Sequence, residues 1–153
     1  MIDEMVEQCG YSRKNLVATL KLEIVTPDKL SFQGEVDSVV IPASEGEMGI
    51  LPMHIPLVTQ IKPGELVITR GHKKEYLAVG EGFVTVTHDT VNVLTDMAIE
   101  SEHIDEGAAE AAVKRARDAL AGKHELGSEE AAAVQASLAK SLAQLHVKRR
   151  RHL

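Results

Sequence analysis

His54, His72, His88, His103, His124, His146 and His152 are the residues best suited to bind a metal or move a proton. They are scattered, and no two stand in the H-x-x-x-H spacing that sets two imidazoles on one helix face. Cys9 is the only cysteine, which excludes an internal disulfide and a cysteine-based zinc site. There is no G-x-S-x-G nucleophile elbow. Gly80-Glu81-Gly82 lacks the third glycine and the following helix that a dinucleotide loop needs, so it reads as a turn between strands. No metal or organic cofactor is expected, and catalysis would require a site assembled from dispersed carboxylates or histidines.

Two charged stretches are better suited to contact than to chemistry. Ser44-Glu45-Gly46-Glu47-Met48-Gly49-Ile50-Leu51-Pro52 combines two glycines, two acids and a proline, which specifies a particular connection. It is either an ordinary tight loop or an exposed acidic contact loop. Lys148-Arg149-Arg150-Arg151 is either a solvated tail that complements a helix dipole or a basic tip that meets an acidic surface.

The elements that position these stretches change in type near residue 104. Before it, Val, Ile, Thr and Leu dominate, with Gly or Pro every few residues; after it, Ala, Glu, Lys and Arg dominate and Pro is absent. Leu20, Leu22 and Ile24 alternate with Lys21 and Glu23, predicting a half-buried strand that ends at Pro27-Asp28. Further strands are expected over Val36 to Ile41, stopped by Pro42, over Glu65 to Thr69 and Glu75 to Val79 around a hairpin-like Arg70-Gly71-His72, over Phe83 to Thr87, and over Val91 to Thr95. Short strands at this spacing imply a sandwich or barrel of about eight to ten strands.

The C-terminal part reads as two helices. Ala109, Ala112, Ala116 and Ala119 form a stripe widened by Val113 and Leu120, behind Asp105 and Glu106 and before a stop at Gly122. Ser128 is the expected N-cap of the second helix, whose stripe is Ala131, Val134, Leu138, Leu142 and Leu145. The short connection around Gly127 makes the pair antiparallel. A stripe of alanines buries little apolar area, so the hairpin is expected to stay helical yet leave its docking site at modest cost.

The formal net charge of -6 argues against nucleic acid, and Tyr11, Phe32, Tyr76 and Phe83 are too few for a base-stacking platform. No apolar run approaches a membrane span. Asp3, Glu4 and Glu7 fit neither a secretory signal nor a mitochondrial presequence.

Leu22-Glu23-Ile24-Val25-Thr26-Pro27, the segment Ile41 to Pro52, His54, Pro56 to Thr59, Ile61 to Gly64, Val91 to Leu94 and Leu138 to Leu145 together resemble the epsilon subunit of the F-type ATP synthase. The resemblance covers about residues 19 to 148 and is most specific at Glu45-Gly46-Glu47-Met48-Gly49-Ile50-Leu51-Pro52. It implies an α+β, mainly β fold: an N-terminal β-sandwich of ten strands over residues 19–103, then a C-terminal antiparallel α-helical hairpin over 104–153, with residues 1–18 an N-terminal extension. It implies a non-catalytic rotor subunit that binds the gamma subunit and the c-ring and whose helices extend to inhibit ATP hydrolysis. Its position would be peripheral, on the cytoplasmic side of a bacterial inner membrane. By the same resemblance, Ser44, Glu45, Gly46 and Glu47 lie at the c-ring face with His54 nearby, and Lys148, Arg149, Arg150 and Arg151 meet the catalytic beta subunit when the helices extend.

Two positions depart from the family pattern. Met53 stands where the family usually has Gly, and either fills a contact or indicates a backbone without positive φ. The nucleotide-binding pattern I/L-D-x-x-R-A of some bacterial members reads Ile104-Asp105-Glu106-Gly107-Ala108-Ala109, with Ala108 in the place of Arg, so ATP binding is not assigned. The alternatives are a free-standing β-sandwich binding module with a partner-docking hairpin, and an enzyme with a dispersed site.

Overall fold

Leu20, Leu22 and Ile24 have no exposed surface, as the alternation predicts, and form the inner side of strand β1 (Leu20–Val25). The computed structural model describes residues 18–122 and 126–150. After β1 come β2 (Leu30–Val36), β3 (Ser38–Ala43), β4 (Gly46–Ile50), β5 (Leu57–Ile61), β6 (Gly64–Arg70), β7 (Lys73–Val79), β8 (Gly82–Val86), β9 (Thr90–Thr95) and β10 (Ala98–Glu100). A single 3-10 turn (Ser101–His103) leads to helices α1 (Glu106–Ala121) and α2 (Ser128–Arg150). The fold is thus α+β, mainly β: ten strands followed by a helical pair.

The strands hydrogen-bond in the order β10-β7-β6-β3-β5-β8-β9-β1-β2, with β4 on the far side of β3. The chain changes neighbours at β3, which pairs β6 through Ser38 to Val40 and β5 only at Ala43. There the sheet folds over, and inward residues of both halves, among them Leu22, Ile41, Leu66 and Val93, fill one core.

Pro42 does not stop its strand. β3 runs on through it, contrary to the expectation from sequence, and it faces Glu47 of β4. Its carbonyl accepts from Lys62 N at 2.9 Å, so its missing N–H points to the side where β6 has ended and β5 begins. No bond to β4 is lost there. Gly71 and His72 make the two-residue turn between β6 and β7, with φ 58° at Gly71. Gly80 and Gly82 serve close packing, not phosphate: a Cβ at Gly82 would fall on the Leu94 carbonyl, and one at Gly80 on the Asp96 carboxylate.

Asp105 caps α1, accepting from Ala108 N at 3.1 Å, and Gly122 is the C-cap, with its N–H on Asp118 O at 3.3 Å. The cap of α2 is one residue earlier than expected. Gly127 O accepts the first helical bond from Ala131 N at 2.9 Å, and Glu130 reaches back to Gly127 N at 3.4 Å. Ser128 therefore lies inside the helix.

The buried residues of α2 depart from a single stripe. Ser141, Ala143, Leu145 and Val147 are buried while Leu142 is 39% exposed. Positions two apart lie about 200° apart around a helix of 3.6 residues per turn, so these residues bury two opposite faces. Leu145 packs with Ala109 and Val113 of α1, and Val147 packs with Ala78 and Ile104. α2 is wedged between α1 and the outer face of β6 and β7, and it carries the hairpin's contact with the sandwich.

Candidate functional site

The acidic stretch is a β-hairpin. Ser44 and Glu45 form its turn, Ser44 N donates to Gln60 O at 3.0 Å, and Gly46 follows with φ 133°. Glu47 sits in β4, whose only partner strand among the described residues is β3. Glu45, Gly46 and Glu47 are all exposed, so two carboxylates stand on an unpaired sheet edge. His54 belongs to the separate connection between β4 and β5, where its Nδ1 donates to Ile55 O at 2.7 Å. That connection is apolar and outward, with Leu51, Met53 and Ile55 exposed by 63%, 71% and 75%. The structure therefore unites Ser44 to Glu47 in one hairpin and sets His54 past the far end of β4, among these apolar side chains.

Met53 has φ 66°, and its N–H donates to His88 O at 2.8 Å. Its backbone does take the left-handed conformation, which corrects the reading that Met there dispenses with positive φ. The side chain is largely exposed.

The basic end of α2 is engaged within the chain. Lys148 Nζ donates to Ser101 O at 3.2 Å. Arg149 Nε donates to Glu106 at 3.1 Å, and its Nη2 pairs with Glu110. These bonds, Glu106 first and then Glu110, raise the Arg149 guanidinium above its ordinary pKa. Arg150 Nη1 pairs with Glu65 Oε1 on β6. Arg151 lies outside the described residues.

Glu65 is the residue that sequence reasoning missed. In Glu65-Leu66-Val67-Ile68 it holds an outward position, which reads as a solvated carboxylate. Its side chain is only 4% exposed, and Oε2 is buried without a hydrogen-bond partner among the described residues. Its partner lies 85 residues away, so no local pattern points to it. Lys140 with Asp96, and Gln144 Nε2 on Met97 Sδ at 3.2 Å, complete the docking of α2.

Among the described residues, the opposite outer face is open. Across β8, β9, β1 and β2 the register aligns Phe83 with Leu94, Leu94 with Val25 and Val25 with Leu30. Phe83, Leu94 and Leu30 are exposed by 56%, 55% and 51%, and Val58 on neighbouring β5 by 67%. Val25, Pro27 and Leu94 line one shallow depression there. An exposed apolar row of this kind is the type of surface at which proteins, membranes or ligands dock.

Among the described residues, then, the β-sandwich has one outer face closed by its own helix and the other apolar and exposed. The chain belongs to the ATP synthase epsilon chain family. Residues 19–101 match the family described as ATP synthase, Delta/Epsilon chain, beta-sandwich domain. The ATP synthase epsilon chain of Chromobacterium violaceum is 40% identical over 142 residues, covering 89% of this chain and 100% of that one. That of Dehalococcoides mccartyi is 45% identical over 138 residues, covering 89% and 98%. A chain in the Euglena gracilis mitochondrial ATP synthase OSCP/F1/c-ring structure superposes with TM-score 0.71 at 26% identity, covering 87% of this chain and 83% of that one. Family membership makes the chain a non-catalytic subunit. No helix among the described residues is long and apolar enough to cross a membrane.

Proposed function

We propose that this chain is the central-stalk rotor subunit of a proton-translocating F-type ATP synthase, joining the gamma subunit to the c-ring and restraining ATP hydrolysis through its C-terminal helices. The observation that carries the reading is the unequal treatment of the two outer sandwich faces. α2 covers β6 and β7, while Leu30, Val58, Phe83 and Leu94 remain bare on the other side. The bare row is the gamma-docking face. The Euglena neighbour, taken from an assembly with F1 and a c-ring, supports that setting. The exposed edge of Ser44, Glu45, Gly46 and Glu47 is the c-ring contact, and His54, with the apolar connection around it, extends that contact. Residues 19–103 form the docking platform and residues 104–153 the regulatory element. Lys148, Arg149, Arg150 and Arg151 meet acidic residues of the catalytic beta subunit once the hairpin leaves the sandwich. The chain works peripherally, on the cytoplasmic side of a bacterial inner membrane.

The test is a binding titration of purified gamma subunit with wild-type chain and with Phe83→Glu/Leu94→Glu. Charges in the centre of a desolvated contact are costly. At least a hundredfold loss of affinity with an unchanged thermal transition is the expected result. Unchanged affinity in the folded variant refutes the assignment of this face.

A further inference from the structure

The pairing of Glu65 with Arg150 is asymmetric. The carboxylate is 4% exposed at its side chain, beside Ala78 and under the end of α2, whereas Arg150 is 56% exposed. One carboxylate oxygen has the guanidinium, and the other is buried without a partner among the described residues. The side chain of Glu65 points to the outer face of β6, the face over which α2 lies. When α2 leaves, water reaches the carboxylate again.

Docking therefore carries a condition. An ionised carboxylate placed under a helix without its cation loses hydration and gains nothing in return. Arg150 is the residue that lifts that penalty, and it needs Glu65 far less, since half of it already sits in water. The exposed pairs of Arg149 with Glu106 and Glu110 hold that residue on α1 but carry no such penalty.

We propose that Glu65 is a gate that makes docking of the helical hairpin conditional on a free Arg150. Whenever an acidic surface engages Arg150, the docked hairpin would bury an unpaired charge, and the undocked state is favoured. Capture of the basic end and release of the hairpin thus become one event, not two. Without Glu65 the hairpin would dock whether Arg150 were engaged or not. The consequence for hydrolysis rests on the regulatory reading above; the gate itself does not.

The test uses the free full-length chain with Cys9→Ser and a dye pair at His72→Cys on the β6–β7 turn and Ala132→Cys on α2, both exposed positions. Energy transfer reads the ratio of undocked to docked hairpin, and the cooperative melt of the sandwich shows that each variant is folded. Arg150→Gln raises the ratio about tenfold or more. Glu65→Gln leaves it near wild type, and Glu65→Gln/Arg150→Gln returns to the Glu65→Gln value, the signature of two coupled sites. No change in Arg150→Gln overturns the gate. So does a double variant as undocked as Arg150→Gln, or a Glu65→Gln chain that undocks equally, since the pair would then be an ordinary clip. Hydrolysis by the reconstituted complex is read separately: normal inhibition kinetics in variants with altered docking would refute the regulatory reading and leave the gate standing.

Discussion

Leu145 and Val147 stand two residues apart on α2 and face opposite ways, Leu145 onto α1 and Val147 onto the sandwich. Each is at most 7% exposed, so a single turn of helix joins the hairpin to itself on one side and to the β-structure on the other. Val147→Ala should weaken docking by about 1–3 kcal/mol, the cost of lost burial and a small cavity. Leu145→Ala should instead loosen α1 from α2. Amide hydrogen exchange separates the two: Val147→Ala speeds exchange across α2 together with α1, while Leu145→Ala speeds α1 and leaves α2 docked. Equal patterns would contradict the two-faced wedge.

Gly82 is required by the Leu94 carbonyl, which a Cβ would strike, whereas a Cβ at Gly49 meets nothing within 4 Å. Gly82→Ala is expected to cost about 3 kcal/mol or to prevent folding, because the obstacle is backbone and cannot give. Gly49→Ala is expected to stay within about 0.5 kcal/mol. Urea denaturation of the two variants makes the comparison.

Met53 holds φ 66° with its side chain in solvent. The left-handed backbone costs a non-glycine residue about 1–2 kcal/mol, and glycine returns part of that as lost chain entropy. Met53→Gly should therefore stabilise the isolated chain by about 0.5–1 kcal/mol in the same assay. A gain in stability with weaker assembly would mean that the Met53 side chain is retained for a partner.

The basic end has opposite effects in the two states. Neutralising Lys148, Arg149, Arg150 and Arg151 removes the bonds that Lys148, Arg149 and Arg150 make to Ser101, Glu106, Glu110 and Glu65, so undocking rises. Inhibition of hydrolysis should nonetheless fall if, as proposed, the same charges carry the contact in the extended state. Wild-type inhibition should also weaken across a salt series, since such pairs are screened over about 10 Å at 0.1 M. Equal inhibition by both chains at low salt would contradict the role of these residues.

Local pattern made the strands legible: Leu20, Leu22 and Ile24, or Val84 and Val86, announce an inner face by alternation alone. Pro42 was misread because its tolerance depends on β3 changing neighbours at that point, a fact of pairing. Leu142 was misread because a single stripe presumes a helix with one buried side, and α2 has two. The hairpin of Ser44 to Glu47 was legible as a special connection but not as a sheet edge. Glu65 was invisible, since only the return of the chain 85 residues later makes an outward glutamate a buried one. The row of Phe83, Leu94, Val25 and Leu30 draws on four strands, and register alone assembles it.

ATP-driven proton pumping tests whether this chain couples gamma to the c-ring through its open face, as proposed. Membranes carrying an ATP synthase stripped of its epsilon subunit would be supplied with wild-type chain, with Phe83→Glu/Leu94→Glu, or with no addition, and acidification followed against ATP hydrolysed. The account predicts that wild-type chain restores protons pumped per ATP and that the variant behaves as no addition. Equal pumping per ATP in all three, with wild-type chain present in the complex, would contradict it.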